Sequence, residues 1–195
     1  VDKDASRIKN YPMLKEIPFF EKLEDALIYG FDGYVVATPP ATHFNLAKRI
    51  IKNRNHLLVE KPLTLNAKDS IELNELAKYY NVNLMVGHVL LFHPAFQKIS
   101  EIIISGKLGS IQYIYSNRTN LGVVRTHENV FWSLAPHDIA LFQYFIKDEP
   151  IKIISNGKDV FNNSVHDTTI TNIEYKNGVM GHIFVSWLHP FKEHR

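Results

Sequence analysis

The chain has 195 residues, of which 45% are hydrophobic and 22% are charged, and it has no low-complexity stretch, which fits a globular fold and excludes a disordered one. Its net charge of +2 is spread along the sequence, and no apolar run reaches the about 18 residues of a membrane span, so neither nucleic acid nor a membrane is an expected partner. The chain contains no cysteine, which excludes disulfides and zinc–thiolate sites and favours a cytoplasmic protein.

The first half of the sequence predicts strands that alternate with helices. The predicted strands are short apolar runs at residues 34–37, 56–59 and 84–86. Apolar residues at helical spacing lie between these runs, and Asn66 is the expected cap of the second helix. Such alternation is typical of βαβ units, so we predict a partial Rossmann-like dinucleotide-binding domain with a parallel sheet at residues 1–90.

The second half changes character after a helix in which Phe96, Ile99 and Ile103 share a face. A short helix is predicted at 139–146, and period-two alternation predicts strands around it. These strands lie near residues 111–116, 151–154, 169–175 and 179–185, with an Asn-Gly hairpin turn before the last and with Ile111, Tyr113 and Tyr115 on the apolar side of the first. We therefore predict a partial α+β domain with a mostly antiparallel sheet at residues 91–195, and an α/β chain as a whole.

Polar residues follow each strand of the predicted parallel sheet. They are Thr38, Pro39, Pro40 and His43 after the first strand, Glu60, Lys61 and Pro62 after the second, and His88 after the third. Ligands of open parallel sheets bind outside the carboxyl ends of the strands, so this edge is the expected site. Two plainer interpretations stay open: Thr-Pro-Pro as a strand stop, and Glu60 with Lys61 as a surface ion pair.

The order and spacing of these motifs resemble the Gfo/Idh/MocA oxidoreductases. That family carries Thr-Pro-Pro or Thr-Pro-Asn with a following His, then Glu-Lys-Pro about twenty residues later, as this sequence does at 38–43 and 60–62. The segment 132–138, Trp-Ser-Leu-Ala-Pro-His-Asp, resembles the family's catalytic-histidine segment. Ser186-Trp187-Leu188 with Pro190, Lys192 and Glu193 resembles a later sheet motif of its sugar-nucleotide branch.

The resemblance implies that Lys61 and His137 are the catalytic pair. Lys61 would contact the reacting hydroxyl, and His137 would be the general acid/base, a role that suits an imidazole. A second interpretation makes His137 a residue at a helix N-terminus that bonds to the backbone, because His-Asp before a helix also suits capping. Many relatives have an acid four residues earlier, where this chain has Ser133.

The resemblance also implies NAD as the cofactor, with NADP possible. Thr38, Pro39, Pro40, His43, Glu60, Lys61 and Pro62 would line its site, and Asp2 would accept hydrogen bonds from the adenosine ribose. The glycine-rich phosphate turn should lie about twenty residues before such an acid, and the sequence does not contain it. We therefore expect an internal fragment whose second domain continues beyond Arg195.

The candidate substrate contacts are His88, His93, Arg118, Arg125 and Asp138. Arg118 and Arg125 flank the loop 120–122 and would suit a diphosphate or a carboxylate, although two solvated surface arginines are an equal alternative. Asp138 would orient the imidazole of His137 or cap a helix. The histidine pairs 88/93 and 189/194 are five residues apart and no carboxylates accompany them, so we expect no metal site.

The resemblance implies an NAD-dependent dehydrogenase that acts on a secondary alcohol of a sugar or sugar nucleotide, and it also implies a homo-oligomer. The Trp-Ser and Ser-Trp-Leu variants most resemble the family's bacterial branch that acts on UDP-N-acetylhexosamine derivatives, which implies reaction at C3 in surface polysaccharide biosynthesis. Two alternatives remain: a catalytically silent NAD- or sugar-binding protein on the same scaffold, and an inositol or glucose–fructose type dehydrogenase.

Overall fold

Strands and helices alternate in the first half of the chain, as the sequence predicts. The computed structural model describes residues 1–4, 6, 16–121, 125, 128–161 and 164–194, and the chain divides into two units, Val1–Gly87 and His88–Arg195. The helices and strands described for the first unit are α1 (Leu23–Tyr29), β1 (Gly33–Val36), α2 (His43–Lys52), β2 (His56–Val59), α3 (Ala67–Tyr80) and β3 (Leu84–Val86).

The sheet of the first unit is parallel, with the order β1-β2-β3. Val36 pairs with Val59 and Val59 with Val86, so the three strands end at the same level. Helices α2 and α3 bury Ile51 and Leu73 in the core beside β2. The Asn66 side chain accepts a hydrogen bond from the Lys68 backbone N–H at 2.8 Å, which confirms the predicted cap of α3.

The second unit combines two helices with a mostly antiparallel sheet. Its described elements are α4 (Pro94–Ile104), β4 (Tyr113–Thr119), α5 (Val130–Ile146), β5 (Pro150–Lys158), β6 (Thr168–Tyr175), β7 (Met180–Ser186) and β8 (Glu193–His194). The strand order is β5-β6-β7-β4-β8, and every neighbouring pair is antiparallel except β4 and β7, which are parallel. The predicted fold class is confirmed.

The core of the second unit lies between α5 and one face of this sheet. Phe142 of α5 packs so closely on β7 that a Cβ added to Gly181 would lie 3.2 Å from its ring carbons. The alternating aromatic residues of β4 do not mark its buried face: Tyr113 and Tyr115 are exposed, and Ser116 lies on the buried face. Both faces of β4 carry large apolar residues, so alternation alone does not identify the face that α5 covers.

Helix α5 is longer than the sequence predicts. It begins at Val130, where the Asn129 side chain accepts a hydrogen bond from the Trp132 N–H at 3.0 Å, and it continues through Pro136. A proline inside a helix removes one backbone hydrogen bond, and here the apolar face of α5, which includes the buried Phe142, offsets that loss. No helix among the described residues is long and apolar enough to cross a membrane.

Candidate active site

Lys61 lies just beyond the carboxyl end of β2, the middle strand of the parallel sheet. The Glu60 N–H continues the strand pairing by donating to the Val36 carbonyl at 2.9 Å, and the peptide bond between Lys61 and Pro62 is cis. Lys61 itself is half-buried. The sheet therefore holds in place the backbone segment that carries the Lys61 side chain.

The Thr-Pro-Pro segment forms an ordered turn between β1 and α2. Both the N–H and the hydroxyl of Thr42 donate to the Pro39 carbonyl, at 2.9 and 2.8 Å, and the hydroxyls of Thr38 and Thr42 are 2.6 Å apart. Pro40 begins a 3-10 turn that leads into α2. Thr38 and Pro39 remain exposed, so the turn presents a polar surface at the strand ends.

His43 joins this turn to the segment that carries Lys61. The side chain is 1% exposed, its Nδ1 lies 2.8 Å from the Pro62 carbonyl oxygen, and its Nε2 lies 2.7 Å from the Thr38 carbonyl oxygen. The sequence predicts His43 as a cofactor contact, and that contact stays a prediction. Its geometry places it beneath the two turns, with both ring nitrogens engaged by the backbone.

Glu60 lies over Gly87, at the end of β3. A Cβ added to Gly87 would come within 3.0 Å of Glu60 Oε2, so glycine at this position allows the carboxylate to approach the neighbouring strand. The sequence predicts no such contact. Its only signal was a glycine placed directly after a predicted strand.

Asp2 offers carboxylate oxygens near the start of the described chain. Its Oδ1 accepts a hydrogen bond from the Asp4 N–H at 3.0 Å, and its own N–H donates to the Phe20 carbonyl at 3.2 Å. Ribose hydroxyls donate hydrogen bonds, and a carboxylate such as that of Asp2 accepts them. The donor set of the first unit therefore fits NAD chemically: Asp2 and Glu60 accept hydrogen bonds, and Lys61 donates them.

His137 lies in the middle of α5 and not at its beginning. Because α5 starts at Val130 and is capped by Asn129, the interpretation of His137 and Asp138 as helix-capping residues is wrong. His137 is half-buried, and Ser133, one helical turn earlier on the same face, is buried. The helix therefore presents His137 from a rigid element, which suits a general acid/base.

Asp138 and Arg118 form a buried ion pair between α5 and β4. Arg118 donates through Nε to Asp138 Oδ2 at 2.9 Å and through Nη2 to Oδ1 at 2.8 Å, and the Ser116 hydroxyl donates to Oδ1 at 2.7 Å. The side chains of Arg118 and Asp138 are 12% and 2% exposed. The predicted substrate contacts of these two residues are untested, and the carboxylate of Asp138 is directed to Arg118. Ser116 was missed, although its spacing of two from Arg118 places both on one strand face.

The remaining predicted contacts are more exposed. His93 caps α4 by accepting a hydrogen bond from the Ala95 N–H at 3.2 Å, and His88 is half-buried. Arg125 pairs with Glu128 at the surface, and Gly122 of the loop 120–122 lies outside the described residues. His93 and Arg118 line a cavity of about 340 Å³ in the second unit, together with Leu90, Phe96, Leu141 and Phe145. In the described part of the chain, no three His, Asp or Glu side chains are grouped to hold a metal ion.

Asp167 is a fully buried carboxylate at the start of β6. Burial opposes its ionisation, but hydrogen bonds from Trp187 Nε1 at 2.7 Å and from the N–H groups of Val160 and Phe161 outweigh burial and lower its pKa. Trp187 belongs to the Ser-Trp-Leu motif, so Asp167 is a hydrogen-bonding partner of that motif. Through these hydrogen bonds Asp167 connects Trp187 to the backbone of Val160 and Phe161 beside the start of β6.

Both units match domains of one enzyme family. Residues 1–88 match the description "Oxidoreductase family, NAD-binding Rossmann fold", and residues 96–195 match "GFO/IDH/MocA C-terminal domain". The second match alone covers more than half of the chain, and the two together cover nearly all of it.

Named relatives include sugar and polyol dehydrogenases. The scyllo-inositol 2-dehydrogenase (NAD(+)) of Bacillus subtilis (strain 168) is 26% identical over 182 residues, which are 88% of this chain and 52% of that protein. The UDP-N-acetylglucosamine 3-dehydrogenase of Acidithiobacillus ferrooxidans (strain ATCC 23270) is 28% identical over 134 residues, which are 68% of this chain and 42% of that protein. The chain thus spans about half the length of these relatives.

Solved structures share the fold. The crystal structure of the Acidithiobacillus ferrooxidans enzyme aligns over 100% of this chain and 63% of its own, with a TM-score of 0.88 and 23% identity. GenD2 from gentamicin A biosynthesis, crystallised in complex with NAD, aligns over 97% of this chain and 58% of its own, with a TM-score of 0.89 and 23% identity. The domain matches and the shared fold lead to one conclusion: the chain belongs to the Gfo/Idh/MocA oxidoreductase family.

Proposed function

We propose that the protein containing this chain is an NAD-dependent dehydrogenase that oxidises, or in reverse forms, a secondary alcohol of a sugar nucleotide in the cytoplasm. The observation that carries the proposal is the position of Lys61. It follows the middle strand of the dinucleotide-binding sheet, where ligands of such sheets bind. Lys61 there is half-buried, so its ammonium meets a substrate oxygen in a partly desolvated setting.

In this proposal Lys61 acts as a fixed cation. Its ammonium donates a hydrogen bond to the oxygen of the reacting alcohol and stabilises the negative charge that develops there. Glu60 is anchored to β1 through its backbone N–H, so the position of the neighbouring Lys61 is set by the sheet. A hydrogen bond from a lysine held in this way is more effective than one from a mobile surface lysine.

His137 exchanges the proton. An imidazole accepts and returns protons near neutral pH, so His137 takes the hydroxyl proton during oxidation and returns it during reduction. Because His137 lies in the middle of α5, the helix fixes the direction in which its side chain leaves the backbone. The ion pair between the adjacent Asp138 and Arg118 ties that part of the helix to β4.

Bound NAD supplies the hydride acceptor. Asp2 would hold the adenosine ribose, and the exposed turn that begins at Thr38 would contribute to the cofactor site together with Glu60. Carboxylates that bond the ribose hydroxyls favour NAD over NADP, because the 2′-phosphate of NADP would be repelled.

We further propose that the substrate is a UDP-N-acetylhexosamine derivative oxidised at C3. The support is the similarity to the UDP-N-acetylglucosamine 3-dehydrogenase together with the Ser-Trp-Leu motif at 186–188. An inositol is the second candidate, which the similarity to the scyllo-inositol dehydrogenase favours.

We also propose that the protein forms a homo-oligomer through the face of the second sheet opposite α5. Five large apolar side chains on that face are exposed: Tyr113, Tyr115, Ile154, Ile170 and Met180. An exposed apolar patch of this extent is typical of a protein interface, and an identical sheet on a second copy would cover it. Light scattering of the protein and of a Tyr115→Glu variant tests the oligomer: a monomeric wild type contradicts it.

The enzymatic proposal is tested by NADH formation with the full-length protein. We expect turnover with a UDP-N-acetylhexosamine and little with free polyols. Lys61→Ala and His137→Gln should each lower kcat by about 10²- to 10⁴-fold, because each removes a group that acts on the reacting oxygen. The matched control is Lys68→Ala, which removes an exposed lysine at the start of α3 and should leave kcat unchanged.

Three outcomes separate the candidates. Turnover of inositols in preference to UDP-sugars would support the second substrate class. NAD binding without turnover of any alcohol would identify a silent binding protein on this scaffold. Full activity of Lys61→Ala would remove the central claim.

A further inference from the structure

His43 is a buried titratable group without a part in the reaction described above. It is the first residue of α2, it is 1% exposed, and both of its ring nitrogens face backbone carbonyl oxygens. A carbonyl oxygen only accepts hydrogen bonds, so a ring nitrogen that carries a hydrogen donates to the carbonyl oxygen that it faces. The ring therefore contacts two separate points of the backbone.

These two points belong to the turns after neighbouring strands. Nε2 contacts the carbonyl of Thr38, which follows β1, and Nδ1 contacts the carbonyl of Pro62, which follows β2. Lys61 thus lies between two anchored positions, because the Glu60 N–H is bonded to β1 on one side and the Pro62 carbonyl is held by His43 on the other.

The segment after Pro62 is also held at short intervals. The buried Thr64 hydroxyl lies 2.6 Å from the Asn66 carbonyl oxygen and 2.6 Å from the Ser70 hydroxyl. Anchors therefore occur at residues 60, 62, 64 and 66. The anchor at residue 62 is the His43 side chain of α2, and the anchor at residue 64 includes the Ser70 hydroxyl of α3.

We propose that His43 is a positioning residue: by holding the Pro62 carbonyl it sets the place of Lys61, and by holding the Thr38 carbonyl it couples that place to the turn after β1. This inference rests on the proposed role of Lys61. His43 contacts neither the substrate nor the reacting atoms and acts through the backbone.

Two conservative substitutions separate the contacts. The amide nitrogen of Asn is placed approximately like Nδ1 of His, so His43→Asn keeps a polar contact with Pro62 and loses the contact with Thr38. The amide nitrogen of Gln reaches approximately as far as Nε2, so His43→Gln keeps a polar contact with Thr38 and loses the contact with Pro62. If the Pro62 contact positions Lys61, the two variants must differ.

We expect the largest decrease in kcat in the variants that lose the contact with the Pro62 carbonyl. His43→Ala should lower kcat by about 100-fold, as misplacement of a reacting group by about 1 Å does, and His43→Gln should be nearly as slow. His43→Asn should lose no more than about tenfold. A His43→Asn variant slower than His43→Gln would overturn the assignment.

A double-mutant cycle tests whether His43 acts through Lys61. In a Lys61→Ala background, His43→Ala should cause no further decrease in kcat, because the group that it positions is already absent. Decreases that multiply in the double variant would show that His43 acts independently of Lys61, and they would refute the proposal.

Hydrogen–deuterium exchange supplies a readout that does not depend on activity. The reporters are the N–H of Thr42, bonded to Pro39, and the N–H of Glu60, bonded to Val36. In His43→Ala and His43→Gln the exchange at Glu60 should be faster, and in His43→Ala and His43→Asn that at Thr42 should be faster. The control Ile51→Val, a core change in α2, should lower the unfolding midpoint and alter neither reporter.

The exchange experiment also distinguishes two kinds of failure. If the wild-type protein oxidises none of the alcohols, the proposed function fails, and exchange at the two reporters still decides whether His43 holds both turns. Unchanged exchange at Glu60 in both His43→Ala and His43→Gln overturns the positioning role. Should His43→Ala fail to fold, the comparison of the Asn and Gln variants decides in its place.

Discussion

Replacing Arg118 by Met should destabilise the second unit by about 3 kcal/mol. The carboxylate of Asp138 is 2% exposed and would lose two of its three hydrogen bonds, those from Nε at 2.9 Å and Nη2 at 2.8 Å, while keeping that from Ser116. Removing one partner of a buried ion pair costs about 3 to 5 kcal/mol. The lower end applies because Arg118 itself is 12% exposed, so water reaches the edge of the pair.

Urea unfolding followed by tryptophan fluorescence measures this loss. The chain has two tryptophans, Trp132 and Trp187, and both belong to the second unit, so their emission reports its unfolding. With an m-value of about 2 kcal/mol/M, the midpoint should fall by about 1.5 M. A double variant with Asp138→Leu should recover most of the loss, because it no longer buries an unpaired charge.

The matched control is Arg125→Met, which makes the same substitution at the exposed ion pair with Glu128. An exposed pair contributes about 1 kcal/mol or less, so this variant should unfold close to the wild type. If Arg118→Met were no less stable than Arg125→Met, the buried pair would not hold α5 to β4.

Three further predictions concern single contacts. The pKa of Asp167 is lowered, so its carboxylate contributes stability above its ordinary pKa of 3.8 and loses it as the pH falls through the lower folded value; the difference in urea midpoint between wild type and Asp167→Asn should therefore shrink from pH 5 to pH 3. Asn66→Ala should cost the first unit about 1 kcal/mol, measured by circular dichroism during unfolding, and no loss would mean that the cap is dispensable. Gly181→Ala should cost about 1 to 3 kcal/mol by the tryptophan assay, because the new Cβ would lie 3.2 Å from the ring of Phe142; an unchanged midpoint would mean that the ring moves away freely.

The parallel sheet and strand β6 were predictable because local signals agreed with the tertiary structure. The short apolar runs became β2 and β3 with the predicted bounds, and the alternation of Thr169, Thr171, Ile173 and Tyr175 became the buried face of β6. In each of these strands the pattern of apolar residues is compatible with only one placement of the strand in the fold. The reason is that either one face of the strand or the whole strand is apolar.

Predictions that depended on tertiary context were wrong. The sequence predicts a short helix at 139–146, but α5 begins at Val130, because the contacts of α5 with the sheet tolerate a proline, Pro136, inside the helix. The buried face of β4 carries Ser116 and Arg118, polar residues that the sequence places outside a core. Their burial is possible only because Asp138, distant in sequence, satisfies both, and no local pattern encodes that partner.

The parallel pairing of β4 with β7 has a consequence for how the second unit assembles. Strands β6 and β7 meet through a tight turn at Gly178, whereas β4 reaches β7 only after the chain has passed through α5, β5 and β6. Closing that long loop costs more entropy than closing the hairpin, and it is compensated only when the ladder and the helix contacts form together. We therefore expect β5, β6 and β7 to pair first during folding and β4 to join the sheet last. Substitutions in β4 should then accelerate unfolding while leaving the refolding rate nearly unchanged.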